Sequence, residues 1–165
     1  MTQTVEAIES ARGDDAAIPL AVQALLNAPK RRRCLVTARD IRRFAQAIGE
    51  PGEGPADGVG LVAPPLFCQS LTWEEVPLER LPADGSPTEL DLPIPAARVV
   101  GGKSEYTIHR LVRAGDELEV VTVLKDLRVS RGRSGLIYLL VLETRCLDRE
   151  GLPVATEVAT FVKRA

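Results

Sequence analysis

The stretch Leu136-Ile-Tyr-Leu-Leu-Val-Leu142 is apolar at seven consecutive positions. A strand of an antiparallel sheet with one face in water would alternate apolar and polar side chains, so this stretch predicts a strand that is covered on both faces. In a small protein with one sheet, the expected cover for the second face is another subunit.

Runs with strand character lie on both sides of this stretch. The predicted strands are residues 103–112, 117–129, 136–147 and 154–163, and short glycine-containing turns separate them. Such short connections make neighbouring strands antiparallel. In the last strand the side chains alternate, with one side formed by Val154, Thr156, Val158, Thr160 and Val162. The second half of the chain is therefore predicted to be an antiparallel sheet.

The first half contains helical segments. Thr37 and Asp40 have the spacing of a capping box, and Gly49 is a natural helix stop, so a helix is predicted between them. Its apolar stripe consists of Ile41, Phe44, Ala45 and Ile48. Residues 50–60 form a loop rich in glycine and proline, a second helix runs from about Pro65 through Trp73, and residues 81–97 are a crossing loop. Long strands and one central helix predict an α+β fold with a sheet curved around that helix.

The N-terminal region is expected to be an arm. Residues 1–15 lack a strong period, and a short amphipathic helix is predicted at 18–26, before Pro29. We therefore divide the chain into an arm at 1–30 and a domain at 31–165. The run Lys30-Arg-Arg-Arg33 is expected to be a basic turn that leads into a strand at Cys34. These cations are either a solvated surface or a phosphate-binding group.

Composition limits the function further. The 165 residues, 45% of them hydrophobic, suffice for one domain, and the net charge of −2 makes nucleic acid a poor partner. No apolar window approaches the roughly 18 residues of a membrane span, and no signal pattern occurs in the first 30 residues. We expect a cytoplasmic protein with no membrane association.

The cysteines and the single histidine give no catalytic or metal motif. Cys34, Cys68 and Cys146 are far apart and lack a C-x-x-C partner, so they are expected to be reduced thiols in or near the core. His109 falls in a predicted strand, on one face with Glu105 and Thr107, where we expect a structural or interface role. No metal and no cofactor is predicted.

Three stretches together resemble the MaoC-like dehydratase family, in particular its N-terminal-type, non-catalytic hot-dog domains. The first is Cys34-Leu-Val-Thr-Ala-Arg-Asp-Ile-Arg-Arg-Phe-Ala-Gln-Ala-Ile-Gly49, and the second is Leu61-Val-Ala-Pro-Pro-Leu-Phe67. The third is Glu105-Tyr-Thr-Ile-His-Arg110, followed by Arg113-Ala-Gly-Asp116. The resemblance implies a single hot-dog fold over most of residues 34–163.

The resemblance also implies a mechanism whose residues are changed here. Active members are (R)-specific enoyl-CoA hydratases or 3-hydroxyacyl dehydratases with a loop G-D-x-N-P-x-H, in which a carboxylate and an imidazole hold the reacting water. In this chain the loop is Gly49-Glu-Pro-Gly-Glu-Gly-Pro55, with Glu50 in place of the aspartate and Pro55 in place of the histidine. Proline cannot transfer a proton.

The carbonyl-binding position is changed as well. Active members often have His-Gly at the start of the central helix, where a backbone N–H polarises the thioester carbonyl. Here the corresponding residues are Pro64 and Pro65, and proline has no N–H to donate.

The sequence thus predicts the non-catalytic, substrate-binding or structural subunit of such a hydratase, acting on an acyl-CoA or acyl-carrier thioester as a homodimer or beside a catalytic MaoC-like subunit. The expected acyl-binding residues are Val62, Ala63, Pro64, Pro65, Leu66, Phe67 and His109, with Val99 and Ile108 as further candidates. The expected phosphate-binding residues are Arg31, Arg32 and Arg33, or Arg131 and Arg133. The alternatives are a hot-dog thioesterase, for which Glu50 is the candidate carboxylate ahead of Asp57, and an acyl-CoA-binding assembly module without turnover.

Overall fold

The computed structural model describes residues 20–72, 76–81, 98–133 and 135–164. The predicted arm at 1–15, the start of the first predicted helix, Trp73 and positions 82–97 of the crossing loop lie outside them. The described helices are α1 (Leu20–Gln23), α2 (Ala38–Ala47) and α3 (Phe67–Thr72), with a 3-10 turn at Leu78–Arg80. The strands are β1 (Pro29–Leu35), β2 (Arg98–Ile108), β3 (Glu117–Gly132), β4 (Gly135–Leu147) and β5 (Pro153–Arg164).

The five strands form one antiparallel sheet with the order β1-β3-β4-β5-β2. The predicted α+β class and the antiparallel second half are confirmed. The bounds of β2 differ from the prediction, since the strand begins at Arg98 and ends at Ile108 rather than covering 103–112. The glycine pair before Lys103 does not end the strand, because a register shift between Gly101 and Ser104 accommodates it against β5.

The predicted basic turn at Lys30–Arg33 is wrong. These residues lie inside β1, which pairs with β3 from Pro29 opposite Val123 to Leu35 opposite Glu117. Because β1 is an edge strand, its side chains reach solvent, and four consecutive cations are tolerated there.

The predicted cap of α2 is confirmed. The Thr37 side chain accepts a hydrogen bond from the Asp40 amide at 3.2 Å, and the Asp40 carboxylate accepts one from the Thr37 amide at 3.2 Å. Ile41 and Ala45 are buried on the inner side of the helix. The chain leaves the helix at Gly49 with φ of 79°, a conformation that favours glycine.

Two hydrophobic clusters lie on the concave face of the sheet. The first surrounds α3 and includes Phe67, Leu118 and Val120. The second surrounds α1, whose Val22 is fully buried against residues of β3 and β4 that include Leu124 and Leu140. The helix predicted at 18–26 is therefore shorter than expected within the described residues, but it contributes to the same core as the sheet.

A row of buried polar side chains separates the two clusters. Thr122 and Thr144 share a hydrogen bond at 3.1 Å, and the next strand continues the row with Glu157. The Tyr106 hydroxyl donates to the Glu157 carboxylate from β2. Every member of the row thus has a partner, which avoids the cost of an unsatisfied buried polar group.

The two faces of β4 differ in burial. Tyr138, Leu140 and Leu142 are buried on the concave face, whereas Ile137, Leu139 and Val141 are half-buried on the convex face. The register places Thr156, Val158, Thr160 and Val162 of β5 on that convex face too, whereas Val154 is buried in the cluster around α3. The cover predicted for this second face, another subunit, stays a prediction.

The three cysteines are free thiols, as predicted. Cys68 and Cys146 are buried and Cys34 is half-buried, all in the cluster around α3. Burial in apolar surroundings raises the pKa of each thiol, and for Cys146, where the neighbouring Cys68 and Cys34 add to the effect, the pKa rises to about 12.

The capping box gives a first prediction. Thr37→Ala removes the hydroxyl that accepts from the Asp40 amide and donates to the Asp40 carboxylate, and it should lower the free energy of unfolding by about 1 kcal/mol. Urea unfolding of both proteins measures the loss. Gln46→Ala, at an exposed position of the same helix, is the control and should be nearly neutral. An equal effect of the two substitutions would show that the cap does not contribute.

The raised thiol pKa gives a second prediction. An ordinary cysteine in the unfolded chain deprotonates near pH 9, whereas folded Cys146 keeps its proton to about pH 12. The stabilisation is therefore complete below about pH 9 and is lost as the pH rises toward 12, by up to about 1.4 kcal/mol per pH unit for one thiol. Unfolding free energies at pH 8 and pH 10 should show a smaller decline in Cys146→Ala than in the wild type. Parallel declines would contradict the assignment.

Candidate functional site

The segment that leads to α3 is fixed to the connection between β2 and β3. The Ala63 amide donates to the Val112 carbonyl at 2.9 Å, and the Ala114 amide donates to the Leu61 carbonyl at 2.9 Å. Val62 forms an antiparallel bridge with Arg113 between these bonds. The segment is thus held like a short extra strand, and its position at this end of the sheet is well defined.

The predicted acyl-binding residues of this segment divide into two groups. Ala63 and Phe67 are buried, and the Phe67 ring packs edge-on against Phe44 with 5.6 Å between centroids. In contrast, Val62 and Leu66 expose 39% and 50% of their surface. Pro64 is half-buried and Pro65 is exposed. The first group anchors the helix, and the second group is available to a ligand or a partner.

Further exposed apolar side chains lie at the same end of the sheet. We define the apolar end surface as Leu35, Val62, Leu66, Ile108, Leu111 and Leu152. These residues belong to the ends of β1 and β2, to the segment before α3, and to the connections that flank β3 and β5. Leu35 ends β1 and Ile108 ends β2, the two opposite edges of the sheet, so these side chains mark one end of the sheet rather than one continuous patch.

The loop at 50–60 lies against α2. The Arg42 guanidinium donates to the carbonyls of Pro55 at 2.7 Å and Ala56 at 3.4 Å. Gly58 is buried with φ of 73°, and a side chain there would come within 2.4 Å of the Ala38 Cβ. The backbone course of the loop is therefore specified by contacts, although Pro55 supplies no acid or base.

The loop carboxylates do not form an acid/base pair. Glu50 is exposed, and its backbone amide donates to the Ala45 carbonyl at 2.9 Å. Asp57 is exposed and accepts a hydrogen bond from the Val59 amide at 3.1 Å, which closes a local turn. In the described residues, neither carboxylate has a histidine as its hydrogen-bond partner.

His109 lies just past the end of β2, so its predicted place inside a strand is wrong. Its amide donates to the Val154 carbonyl at 2.9 Å, and its Nε2 lies 3.4 Å from the Thr156 hydroxyl. The ring is exposed and belongs to the sheet rather than to the loop that carries the family's histidine. The structural or interface role expected for it stays a prediction.

The arginines of β1 do not share one face, because side chains of a strand alternate. Arg31 forms an ion pair with Glu119 at 2.9 Å, whereas Arg32 points to the other face and donates to the Leu71 carbonyl of α3. Arg33 is exposed beside a cavity of about 480 Å³, lined also by Cys34, Leu35, Glu117, Leu118, Glu119, Asp148, Arg149 and Gly151.

Arg131 and Arg133 lie at the opposite end of β3, where it turns into β4. They are exposed, and Arg131 lies ten positions along β3 from Val121, the partner of Arg31, a distance of roughly 30 Å. The two predicted groups of cations therefore cannot bind the same phosphate.

Sequence reasoning did not find the buried Tyr106–Glu157 pair or the cavity at Arg33. Glu157 lies on the side of the last strand opposite its valines and threonines, and only the pairing of β5 between β4 and β2 places it inside.

In the described residues, no helix has the length and apolar character needed to cross a membrane.

Comparisons with known proteins agree with this architecture. Residues 27–157 match the family described as FAS1-like, dehydratase domain region. A UPF0336 protein of Mycobacterium tuberculosis is 31% identical over 139 residues, which cover 79% of this chain and 77% of the relative. A UPF0336 protein of Saccharopolyspora erythraea is 30% identical over 132 residues, which cover 75% of this chain and 78% of the relative.

Solved structures share the fold at lower identity. The MaoC-like dehydratase from Rhodospirillum rubrum matches with a TM-score of 0.57 and 20% identity, covering 88% of this chain and 97% of that one. The ChsH1-ChsH2 complex from M. tuberculosis matches with a TM-score of 0.63 and 20% identity, and the match covers 87% of this chain and 94% of that one. The HadBC (3R-hydroxyacyl-ACP dehydratase) complex from M. tuberculosis matches with a TM-score of 0.57 and 19% identity, and the match covers 84% of this chain and 96% of that one.

The matched family region includes β1, both helices of the candidate site and the sheet as far as the middle of β5. The fold predicted from the sequence, a hot-dog with an antiparallel sheet curved around a central helix, is thereby confirmed. The chain belongs to the FAS1-like dehydratase domain region family and has the hot-dog fold of the MaoC-like dehydratases.

Proposed function

We propose that this chain is the non-catalytic, substrate-binding or structural subunit of an (R)-specific enoyl thioester hydratase or 3-hydroxyacyl thioester dehydratase. The observation that carries the proposal is the loop at 50–60, which is packed in place by Arg42 and Gly58 yet has Pro55 where a catalytic histidine would lie. A loop that keeps its contacts and lacks its proton-transfer group fits a subunit whose chemistry is supplied elsewhere.

The reaction requires groups that the described loop does not offer. Hydration adds a water oxygen to the β-carbon of an α,β-unsaturated thioester and a proton to the α-carbon. A carboxylate and an imidazole on one water perform both steps in the resembling enzymes, and Glu50 has no imidazole beside it. A catalytic MaoC-like subunit would supply the pair, and this chain would supply a wall of the acyl site.

The two edges of the sheet differ in their suitability for a partner strand. The β1 edge begins with Pro29 and continues with four cations, and both features discourage pairing with another strand. The β2 edge has no proline and a single cation between Val99 and Ile108. We place the partner subunit, a second copy or a catalytic MaoC-like chain, at β2.

The apolar end surface supports substrate binding beside that edge. Ile108 and Leu111 lie at the end of β2, and Val62 bridges to the same connection through Arg113. A partner at β2 would enclose these side chains and Leu66 in a site for an acyl chain. Arg33 is the cation of β1 that remains available for a phosphate of the thiol carrier. Since acyl-CoA and carrier-protein thioesters are cytoplasmic compounds, this function implies a cytoplasmic location.

Reconstitution tests whether a second subunit supplies the catalytic residues. The chain alone should not hydrate crotonyl-CoA, whereas its mixture with a MaoC-like protein that has an intact Asp and His pair should do so, as measured by the loss of enoyl thioester absorbance. Replacing the partner's catalytic histidine should lower the rate roughly 100-fold or more. Full hydration by this chain as a homodimer would overturn the proposal.

Other outcomes would indicate one of the alternative functions. Release of free thiol that is lost in Glu50→Gln would indicate the thioesterase. Tight binding of acyl-CoA without any product would indicate the assembly module.

The role of the apolar end surface is tested by Leu66→Asp. If Leu66 contacts the acyl chain in the complex, the charge should raise the KM for crotonyl-CoA roughly tenfold, because apolar burial of a leucine contributes about 1.5–3 kcal/mol. Leu78→Asp is the matched control, since Leu78 is also exposed but lies outside this surface. Similar KM values for the two variants would show that Leu66 takes no part in binding.

A further inference from the structure

Arg32 faces the concave side of the sheet, whereas the arginines directly before and after it in β1 face the other side. In the pairing of β1 with β3 it lies opposite Val120, which belongs to the buried cluster around α3. Its side chain is half-buried, and the guanidinium donates to the Leu71 carbonyl of α3. Because a guanidinium loses hydration when it is buried, this position indicates a role in holding the helix rather than a solvated surface.

α3 depends on contacts with other parts of the chain. It has six residues, and a helix of this length is not stable by itself. Two of its carbonyls are bonded by its own side chains, since the Ser70 hydroxyl donates to the Phe67 carbonyl at 2.7 Å and the Thr72 hydroxyl donates to the Gln69 carbonyl at 2.8 Å. Bonds within the helix do not fix where it lies. The Leu71 carbonyl differs, because a donor to it comes from β1.

The other contacts of α3 with its surroundings hold its beginning. The Ala63 amide attaches the preceding segment to the sheet connection, and the Phe67 ring packs edge-on against Phe44. A short helix attached only at its beginning can change direction, whereas a second attachment at Leu71 fixes that direction. The Gln69 amide donates to the Leu66 carbonyl at 3.0 Å, so Leu66 is joined to the helix and moves with it.

The contact between Arg32 and Leu71 is also electrostatically favourable. Leu71 lies in the last turn of α3, where the carbonyls carry partial negative charge, and a cation at this end stabilises a helix. Arginine suits the position better than lysine, because its guanidinium is a rigid plane with five N–H donors. The charge and the hydrogen bond of Arg32 therefore both act on the direction of α3.

We infer that Arg32 is a positioning residue, which fixes the direction of α3 from β1 and thereby the place of Leu66 in the acyl site. Its effect on substrate binding rests on the proposed function, whereas the anchoring of the helix does not. Arg32 thus acts inside the domain rather than on the phosphate of a thiol carrier.

Hydrogen exchange of the full chain, measured by mass spectrometry, tests the anchoring. Arg32→Gln should speed exchange of the α3 amides roughly tenfold and leave the amides of β4 unchanged, because a hydrogen bond to a charged group is lost locally. Arg32→Lys keeps the charge and should restore most of the protection. Arg31→Gln, the matched control, removes the neighbouring arginine that pairs with Glu119, and it should change α3 exchange less than about twofold.

Two results of the exchange measurement would overturn the inference. One is equal exchange of α3 in the wild type and in Arg32→Gln. The other is an equal rise in exchange across α3 and β4, because that result would indicate a general loss of stability instead of a released helix.

Kinetics of the reconstituted complex test the link to Leu66. Arg32→Gln should raise the KM for crotonyl-CoA roughly threefold and leave kcat within about twofold, because the partner supplies the catalytic groups. In a Leu66→Asp background the same substitution should add little, since both changes act on one contact. An unchanged KM despite faster α3 exchange would refute the effect on the acyl site. The exchange measurement needs no turnover, so it decides the anchoring even if reconstitution gives no hydration, and the two proposals can fail separately.

Discussion

The position of the central helix depends on one short piece of backbone pairing. The hydrogen bonds from Ala63 to Val112 and from Ala114 to Leu61 attach the segment before α3 to the connection between β2 and β3. The same connection holds the junction of β1 and α2 through Val36. Because three parts of the chain meet there, Phe67 enters the core at a fixed point, and the exposed side chains of Val62 and Leu66 have a defined place beside it. This pairing needs no particular side chains, so it tolerates two prolines directly after Ala63.

Because this pairing does not depend on particular side chains, the fold can be kept while residues that would take part in the chemistry change. A catalytic loop needs an imidazole, and a carbonyl-binding helix start needs an N–H, but neither group contributes to the core. In this chain the Arg42 guanidinium and the close approach of Gly58 to Ala38 keep the loop in place, although Pro55 has no group that can transfer a proton. Packing and backbone hydrogen bonds thus retain the fold of the family, while the positions that would perform proton transfer are free to change.

The parts of the fold that could be predicted from the sequence are those with local causes. The capping box of Thr37 and Asp40 and the glycine turns between strands involve neighbours in the chain, and the structure confirms them. Strand alternation gives a period of two but does not say which side is inside. In β5 the inner side consists of Ala155, Glu157 and Ala159, and the valines and threonines from Thr156 to Val162 face outward, whereas Val154 lies at a register shift and is buried in the cluster around α3. Likewise, the basic run was misread as a turn because a strand's position at the edge of a sheet is a property of the topology.

In the candidate site, too, some features are visible in the sequence and others follow only from the pairing of the strands. The absence of a histidine before Ile108 is visible in the sequence, and so is Pro65, but the separation of Arg32 from Arg31 and Arg33 follows only from their pairing in β1. Edge position also gives these charges a structural consequence. Cations on β1 discourage another strand from pairing at that edge. The opposite edge, β2, has a single cation, Lys103, between Val99 and Ile108, so the two edges of the sheet differ in how well they could accept another strand.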